Sequence, residues 1–378
     1  MVPGAPGAAP GARGTEQAVN VLFAFDGDLN PYVDVVRAGL AAAGRPTDAG
    51  TDKFWSDALF RHDVVHVQWP ETLFGWRAPT ADEMARLRRR LREIQPRARI
   101  VLTRHNAVSH LATAKNAAIF RELYELVESA CDAMIHMGET SRAQCAGQPH
   151  LRGKRHVTIP LPVFDELYAP YLNVSRAEAR RRLGLPTHRK IVLAFGNFRN
   201  DGEKKLVEST WRALGDPQAF LVAARWHSPR TYGFSPRHPL CLLRSMREAV
   251  RARWRHMRLE PTRDCTGEEV ALGVAAADAV FIQRLDDLNS GNLPMAFLFR
   301  KAVAGPAGGN IGAWLRKTDN PVFDPQDPDS CRLALQRALE LAAAGKGEEN
   351  HAYAMAHWST KQVGAAHARL YDELVAAQ

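Results

Sequence analysis

Two hydrophobic periods take turns along most of this chain. Short apolar runs bounded by turn residues alternate with stretches whose apolar residues recur every third or fourth position, the pattern of buried strands and amphipathic helices. Residues 18–25 (AVNVLFAF), 64–69, 99–103 and 133–137 read as strands, and 157–159 adds one more. Between them, 32–43 has helical spacing of Val33, Val36 and Leu40 and stops at Gly44. The helix expected at 81–94 turns Met84, Leu87, Leu91 and Ile94 inward and sets Arg86, Arg88, Arg89, Arg90 and Arg92 on its other face. A further helix is expected at 117–130.

Pro160-Leu161-Pro162 interrupts the alternation, a composition suited to a linker. The pattern then restarts. Helix 175–183 leads to strand 190–195, closed by Gly196, and strand 220–224 follows. An arginine-rich helix is expected at 245–257 and a short strand at 257–259. Helix 266–276 carries Thr266 and Glu269 at capping-box spacing and leads into strand 279–282. Single terminal helices are expected at 329–344 and 351–376. The fold class is α/β: two doubly wound parallel-sheet domains in series. The expected boundaries are a disordered tail at 1–17, domains at 18–160 and 161–345, and a closing helix at 346–378.

Composition narrows the setting. The net charge of +9 is carried largely by arginine, which favours an anionic partner: nucleotide phosphate, membrane surface or nucleic acid. The five cysteines form no CxxC pair, so reduced thiols in the cytoplasm are expected rather than a disulfide framework or zinc site. No apolar run spans a bilayer, and the first residues lack the pattern of a signal peptide. Recognised nucleic-acid modules with interleaved aromatics are absent, so nucleic acid is set aside.

Chemistry concentrates between Asp286 and Gly312 (DDLNSGNLPMAFLFRKAVAGPAGGNIG). Two carboxylates follow an apolar strand; a polar loop, a helix, a strand and a glycine turn come next. That is the layout of a ligand site at the carboxyl edge of a parallel sheet.

Several segments, taken together, resemble bacterial glycosyltransferases of the GT-B type, of the exopolysaccharide and GT4-like kind with a variant donor motif. They are FGNFRNDGEKK, CTGEEVALGVAAADAVFIQRLDD, LNSGNLPMAFLFRKAVAGPAGGNIG, HVQWPE, TRHNAVSH and WSTKQVGAAHARLYDEL. The resemblance implies two Rossmann-like domains facing across a cleft. It implies transfer of a sugar from a nucleoside-diphosphate sugar, UDP- or GDP-linked, to an acceptor hydroxyl, in polysaccharide, glycoconjugate or natural-product synthesis. The second domain would hold the donor and the first the acceptor, which is a glycan, a lipid-linked sugar or a small molecule. Many retaining members carry two glutamates spaced as Asp286 and Pro294 are here. Proline has no acceptor side chain, so ribose binding falls to another residue and the stereochemical course stays open.

Glycosyl transfer needs charge stabilisation of a diphosphate leaving group and, in an inverting enzyme, a base for the acceptor. For the diphosphate, Gly308, Gly309 and Asn310 open a helix with amides available to an anion. Ser290, Gly291 and Asn292 add donors or simply cap the next helix. Arg199, Lys204 and Lys205 follow the first strand of the second domain, with Arg225 behind them. Asp286 is assigned to the donor sugar by the resemblance. The acceptor base candidates are Glu71 and His105, with Asp26 and Asp28 behind, and Trp69 is available to stack on a sugar ring. No residues show the spacing of a dedicated metal cage, and no cofactor beyond the donor is expected. The arginine-rich helices offer a contact with the inner face of the cell membrane or simply a solvated face. Two other readings fit the residues: a nucleotide-sugar epimerase or hydrolase, and a non-catalytic sugar-nucleotide-binding subunit.

Overall fold

The computed structural model describes residues 18–27, 31–106, 109–227, 255–285 and 288–377. The expected tail, most of the helix expected at 245–257, and Asp28, Asp286 and Asp287 lie outside these residues.

Strands β1 (Val21–Phe23), β2 (Thr47–Ala49), β3 (Val64–Val67), β4 (Arg99–Arg104), β5 (Ala133–His136) and β6 (Arg155–Thr158) form one parallel sheet. Its order is β2-β1-β3-β4-β5-β6. Helices α1 (Tyr32–Ala42), α2 (Ala81–Ile94), α3 (Ala117–Ala130) and α4 (Glu139–Ala146) are the crossovers of two turns or more. The second domain has β7 (Lys190–Ala194), β8 (Ala219–His227), β9 (Met257–Pro261), β10 (Ala279–Phe281), β11 (Ala302–Pro306) and β12 (Val322–Phe323), in the order β12-β11-β10-β7-β8-β9. Its helices are α5 (Arg176–Leu183), α6 (Asp201–Leu214), α7 (Gly267–Ala276), α8 (Asn292–Leu298), α9 (Gly309–Lys317) and α10 (Pro328–Ala343). All strand pairs are parallel, and the central strands are buried on both faces, so each reads as a continuous apolar run. Strand β2 was not anticipated: its Thr-Asp-Ala sequence lies on a half-exposed edge and carries no apolar signal.

Two expectations are corrected. Arg90 is buried, not on the solvated face of α2; its Nε donates to the carbonyl of Phe54 at 2.8 Å and its Nη2 to that of Ser56. Arg86 lies over the Trp55 ring and Arg88 pairs with Glu122, which leaves Arg89 and Arg92 as the solvated arginines of that helix. The closing helix is two helices, α11 (Lys346–Trp358) and α12 (Thr360–Ala376). Ser359 breaks them because it takes an extended conformation and its hydroxyl accepts from the Gln362 amide, capping α12.

Helix α12 carries the chain back onto the first domain. It crosses α1 where glycine faces glycine: a Cβ on Gly39 would sit 2.4 Å from the Thr360 carbonyl oxygen, and one on Gly364 would sit 2.2 Å from the Gly39 backbone. Arg45 grips Asp372 through two bonds of 2.8 and 2.6 Å. Inside, the Tyr371 hydroxyl meets His66 Nδ1 at 2.6 Å, and His66 Nε2 meets the Thr103 hydroxyl at 2.7 Å. Burial holds the Tyr371 hydroxyl protonated, so it donates, and the imidazole then carries its proton on Nε2.

Gly364→Ala is expected to destabilise the fold by about 1–3 kcal/mol, the usual effect of overpacking, read as a lower urea midpoint. An unchanged midpoint would mean the two helices part without cost. The buried histidines give a pH signature. Burial holds His367 down to about 4 and His66 well below its ordinary 6.5. Below pH 6.5 the unfolded chain therefore binds protons that the folded chain refuses. Their contribution to stability is present above pH 6.5 and is lost as pH falls toward 4. Urea midpoints measured from pH 7.5 to 4.5 should fall, and His367→Gln should make that fall shallower.

Candidate functional site

The order of the second sheet reverses between β7 and β10, which opens a crevice at their carboxyl ends. Strand β7 is followed by Phe195 and by Gly196, whose φ of +88° suits glycine. The Phe195 carbonyl accepts from Gln283 Nε2 at 3.1 Å and from Asn292 Nδ2 at 2.6 Å. Arg284 donates to the Asn197 carbonyl at 2.8 Å and pairs with Glu203 at 2.9 Å, both side chains being buried. The loop after β7 is thus pinned from the loop after β10. A Cβ on Gly196 would lie 3.3 Å from both Arg284 and Asn292. Gln283, Arg284 and Glu203 were not singled out as site residues, although the first two directly follow the apolar run that announced β10.

Cations gather around this platform. The Arg199 amide donates to Glu203 at 2.9 Å and its side chain is exposed; Lys204, one turn into α6, lies half-buried beside the Trp226 ring. Arg225 ties the Asn197 amide oxygen to the Arg263 carbonyl, through bonds of 2.8 and 3.1 Å. Beside them a pocket of about 210 Å³ opens at the edges of β7, β8 and β9. Leu193, Val222 and Val270 form its apolar wall, and Gly196, Arg225, Arg258, Glu260, Arg263 and Cys265 its polar part.

The glycine turn does something different from what its sequence suggested. Asn310 is buried; its Oδ1 accepts from the Ser141 amide at 3.1 Å, and its Nδ2 donates to the Ser141 hydroxyl at 3.1 Å and to Asn289 Oδ1 at 2.8 Å. Its own amide bonds the Leu288 carbonyl at 2.9 Å, so it is not open to an anion. Among the described residues, no hydrogen bond engages the amides of Gly308 and Gly309. The turn also meets the first domain through Thr140, which donates to the Gly309 carbonyl at 3.1 Å, and through Trp314, which donates to that of Met137 at 2.9 Å. A Cβ on Gly138 would run into Asn310 at 2.5 Å. Asn292 likewise uses its side chain on Phe195, and Pro294 is buried and lines a small cavity with Leu161 and Trp358 at the junction of the domains. Of the Ser290 to Asn292 group, the Ser290 hydroxyl accepts from the Asn292 amide at 3.3 Å just ahead of α8, and a Cβ on Gly291 would meet open space.

On the facing edge, the first-domain candidates are restrained. Glu71 is buried, and its two oxygens accept from the Ser109 hydroxyl at 2.6 Å and the Tyr124 hydroxyl at 3.0 Å. These two bonds brace the loop after β4 and the following helix. Asp26 is occupied by the amide and hydroxyl of Thr51. His105 stacks flat on Trp69 with ring centres 3.8 Å apart and meets Gln68 Oε1 through Nε2 at 2.8 Å. Burial, helped by His110, pushes His105 down to about 3, so its ring is neutral and weakly basic. Its carbonyl accepts from Asn289 of the opposite domain at 2.9 Å. Trp69 is buried inside this stack and is not free to hold a sugar; the exposed aromatic is Trp76.

Asn310→Ala is expected to remove three cross-domain or turn contacts and to loosen the seam by about 2–4 kcal/mol, summing ordinary hydrogen bonds. Small-angle scattering should show a larger radius of gyration than wild type. An identical curve would place the closure elsewhere.

No family model and no curated protein sequence matches this chain. Solved structures match it over nearly its whole length. Sucrose-phosphate synthase from Thermosynechococcus elongatus is 17% identical, with a TM-score of 0.68 over 96% of this chain and 100% of that one. A glycosyltransferase from Rickettsia africae is 10% identical, with a TM-score of 0.67 over 95% and 99%. Anabaena HepE in complex with UDP is 11% identical, with a TM-score of 0.64 over 94% and 100%. What is shared at these identities is the fold: two Rossmann-like domains with facing sheet edges, the GT-B architecture.

Proposed function

We propose that this chain is a glycosyltransferase that moves a sugar from a nucleoside-diphosphate sugar to an acceptor hydroxyl. The observation that carries the reading is the pocket at the edges of β7 to β9, which adjoins the pinned crevice between β7 and β10. The pocket offers an apolar wall suited to a base and, for ribose hydroxyls, the partly exposed carboxylate of Glu260, which Arg258 holds at 3.2 Å. Glu260 would thus supply the acceptor group that Pro294 lacks. The diphosphate then falls toward Arg225, Arg199 and Lys204, whose positive charge stabilises the leaving group. Asp286, in the loop that follows Arg284, is the candidate for the donor sugar. HepE has been captured with UDP-glucose, which supports a UDP-linked donor over a GDP-linked one.

The acceptor enters from the first domain. Closure of the seam at Asn289 and Asn310 brings that edge against the donor loop and excludes water. Structural neighbours titled as glycosyltransferases and sugar-phosphate synthases favour transfer over an epimerase or hydrolase on the same fold and over a binding subunit. No described helix is long and apolar enough to cross a membrane. The solvated arginines Arg89 and Arg92 suit contact with an anionic surface on the cytoplasmic side, as a lipid-linked acceptor would require.

UDP is expected to raise the melting temperature, and donor consumption should require an acceptor. Glu260→Gln and Arg225→Ala should each weaken UDP binding roughly tenfold or more, the loss expected for a charged hydrogen bond, as read by calorimetry. Unchanged affinity in both variants would move the nucleotide out of this pocket.

A further inference from the structure

Glu203 lies in the first turn of α6, where a carboxylate usually faces solvent near the helix end. Here it is turned into the molecule and is 2% exposed. Asn200 caps the helix, its Oδ1 accepting from the Glu203 amide at 3.0 Å. Both carboxylate oxygens are committed elsewhere. Oε2 accepts from the Arg199 amide at 2.9 Å, and the two oxygens accept from Arg284 Nη1 at 3.1 and 2.9 Å. The same Arg284 nitrogen donates to the Asn197 carbonyl at 2.8 Å. Asn197 in turn offers its Oδ1 to Arg225 Nη1 at 2.8 Å. The two arginines assigned to the diphosphate thus trace back to one carboxylate. Arg199 is tied to it by its own backbone amide, and Arg225 through Arg284 and Asn197.

The backbone of Arg225 needs such support. Its φ is +60°, in the left-handed region that a long side chain rarely takes, and it lies where the register between β8 and β9 shifts. A residue in that conformation is kept there by its surroundings. The bonds to Asn197 and to the Arg263 carbonyl are part of them.

Stability alone does not account for the Glu203–Arg284 pair. A buried carboxylate and guanidinium gain from each other about what they lose with water, so an apolar pair of the same size would serve the fold as well. What the ion pair adds is direction and neutrality. The carboxylate fixes the loop after β7 at two points, and Arg284 cancels its charge, so the field that a phosphate meets at Arg199 and Arg225 stays positive.

We propose that Glu203, neutralised by Arg284, is the positioning residue of the diphosphate site: it sets Arg199 and Arg225 without touching the ligand itself. This rests on the transferase reading, in which those arginines take the leaving group.

Such a role separates diphosphate affinity from nucleoside affinity, which calorimetry on the full chain with UDP and with uridine reads directly. Wild type should bind UDP roughly tenfold or more tighter than uridine, the advantage coming from charged contacts to phosphate. Glu203→Gln keeps an acceptor for the Arg199 amide but leaves the Arg284 cation unpaired, and should lower the urea midpoint as well as UDP affinity. The double variant Glu203→Gln with Arg284→Met replaces the ion pair by neutral groups of similar size and should keep the fold. It should lose most of the UDP advantage, about tenfold, while uridine affinity stays within about twofold of wild type. A merely structural brace would lower both affinities together or neither. A folded double variant with the wild-type ratio of UDP to uridine affinity would therefore overturn the positioning role and leave the transferase reading standing. A wild type that binds UDP no better than uridine would overturn both.

Discussion

The arrangement of the two domains depends on one buried amide. Asn310 begins a helix of the second domain, yet its side chain satisfies an amide and a hydroxyl of the first, both on Ser141, and also orients Asn289. A buried primary amide is expensive unless its hydrogen bonds are made. Here they are made only when the two sheet edges face each other at this spacing. Asn289, so oriented, reaches the His105 carbonyl, and the segment before α8 is fixed relative to the first domain through a chain of two asparagines. The absence of a Cβ at Gly138 is part of the same constraint, because any side chain there would occupy the space of Asn310.

A seam of a few hydrogen bonds would be weak without a second tether. Helix α12 supplies it by crossing α1 at a glycine-on-glycine contact and ending in a buried His66–Tyr371 pair. That tether is tightly packed and rigid. The linker after β6 and the α11–α12 break are the places where the chain passes between domains: the Val163 amide bonds the Trp358 carbonyl at 2.9 Å, and Asp165 accepts from Thr360 at 2.8 Å. Both passages meet at one point, which is the geometry of a hinge. Opening would cost the asparagine bonds and leave the helix crossing untouched.

The alternation of strands and helices was legible because parallel strands buried on both faces are apolar throughout, and the amphipathic helices between them are long enough to show their period. Most strand and helix positions were legible to within a few residues, including the capping box at Thr266. Side-chain roles were less legible for a physical reason. A glycine turn followed by asparagine at a helix start has the same sequence whether it receives a phosphate or docks a domain; only the partner differs, and Ser141 is far away in the chain. Glu71 after a strand looks like a free carboxylate until Ser109 and Tyr124 are seen to occupy it. Asn292 looked like a ligand donor and proves to brace β7. Polar residues at sheet edges satisfy one another first.

Beside those internal pairings the second domain keeps a pocket with an apolar wall, at which Glu260 pairs with Arg258 at 3.2 Å while both stay partly exposed. The pocket lies at the edges of β7 to β9, beside the switch point of the second sheet, and Asn289 joins the two sheet edges. The gap between the two sheet edges therefore lies between Arg284, behind the Asn197 loop, and His105, whose carbonyl Asn289 holds. Each half repeats the same crevice geometry at the switch point of its sheet, and the polar chain through Asn310 and Asn289 is what sets the spacing of the gap between them.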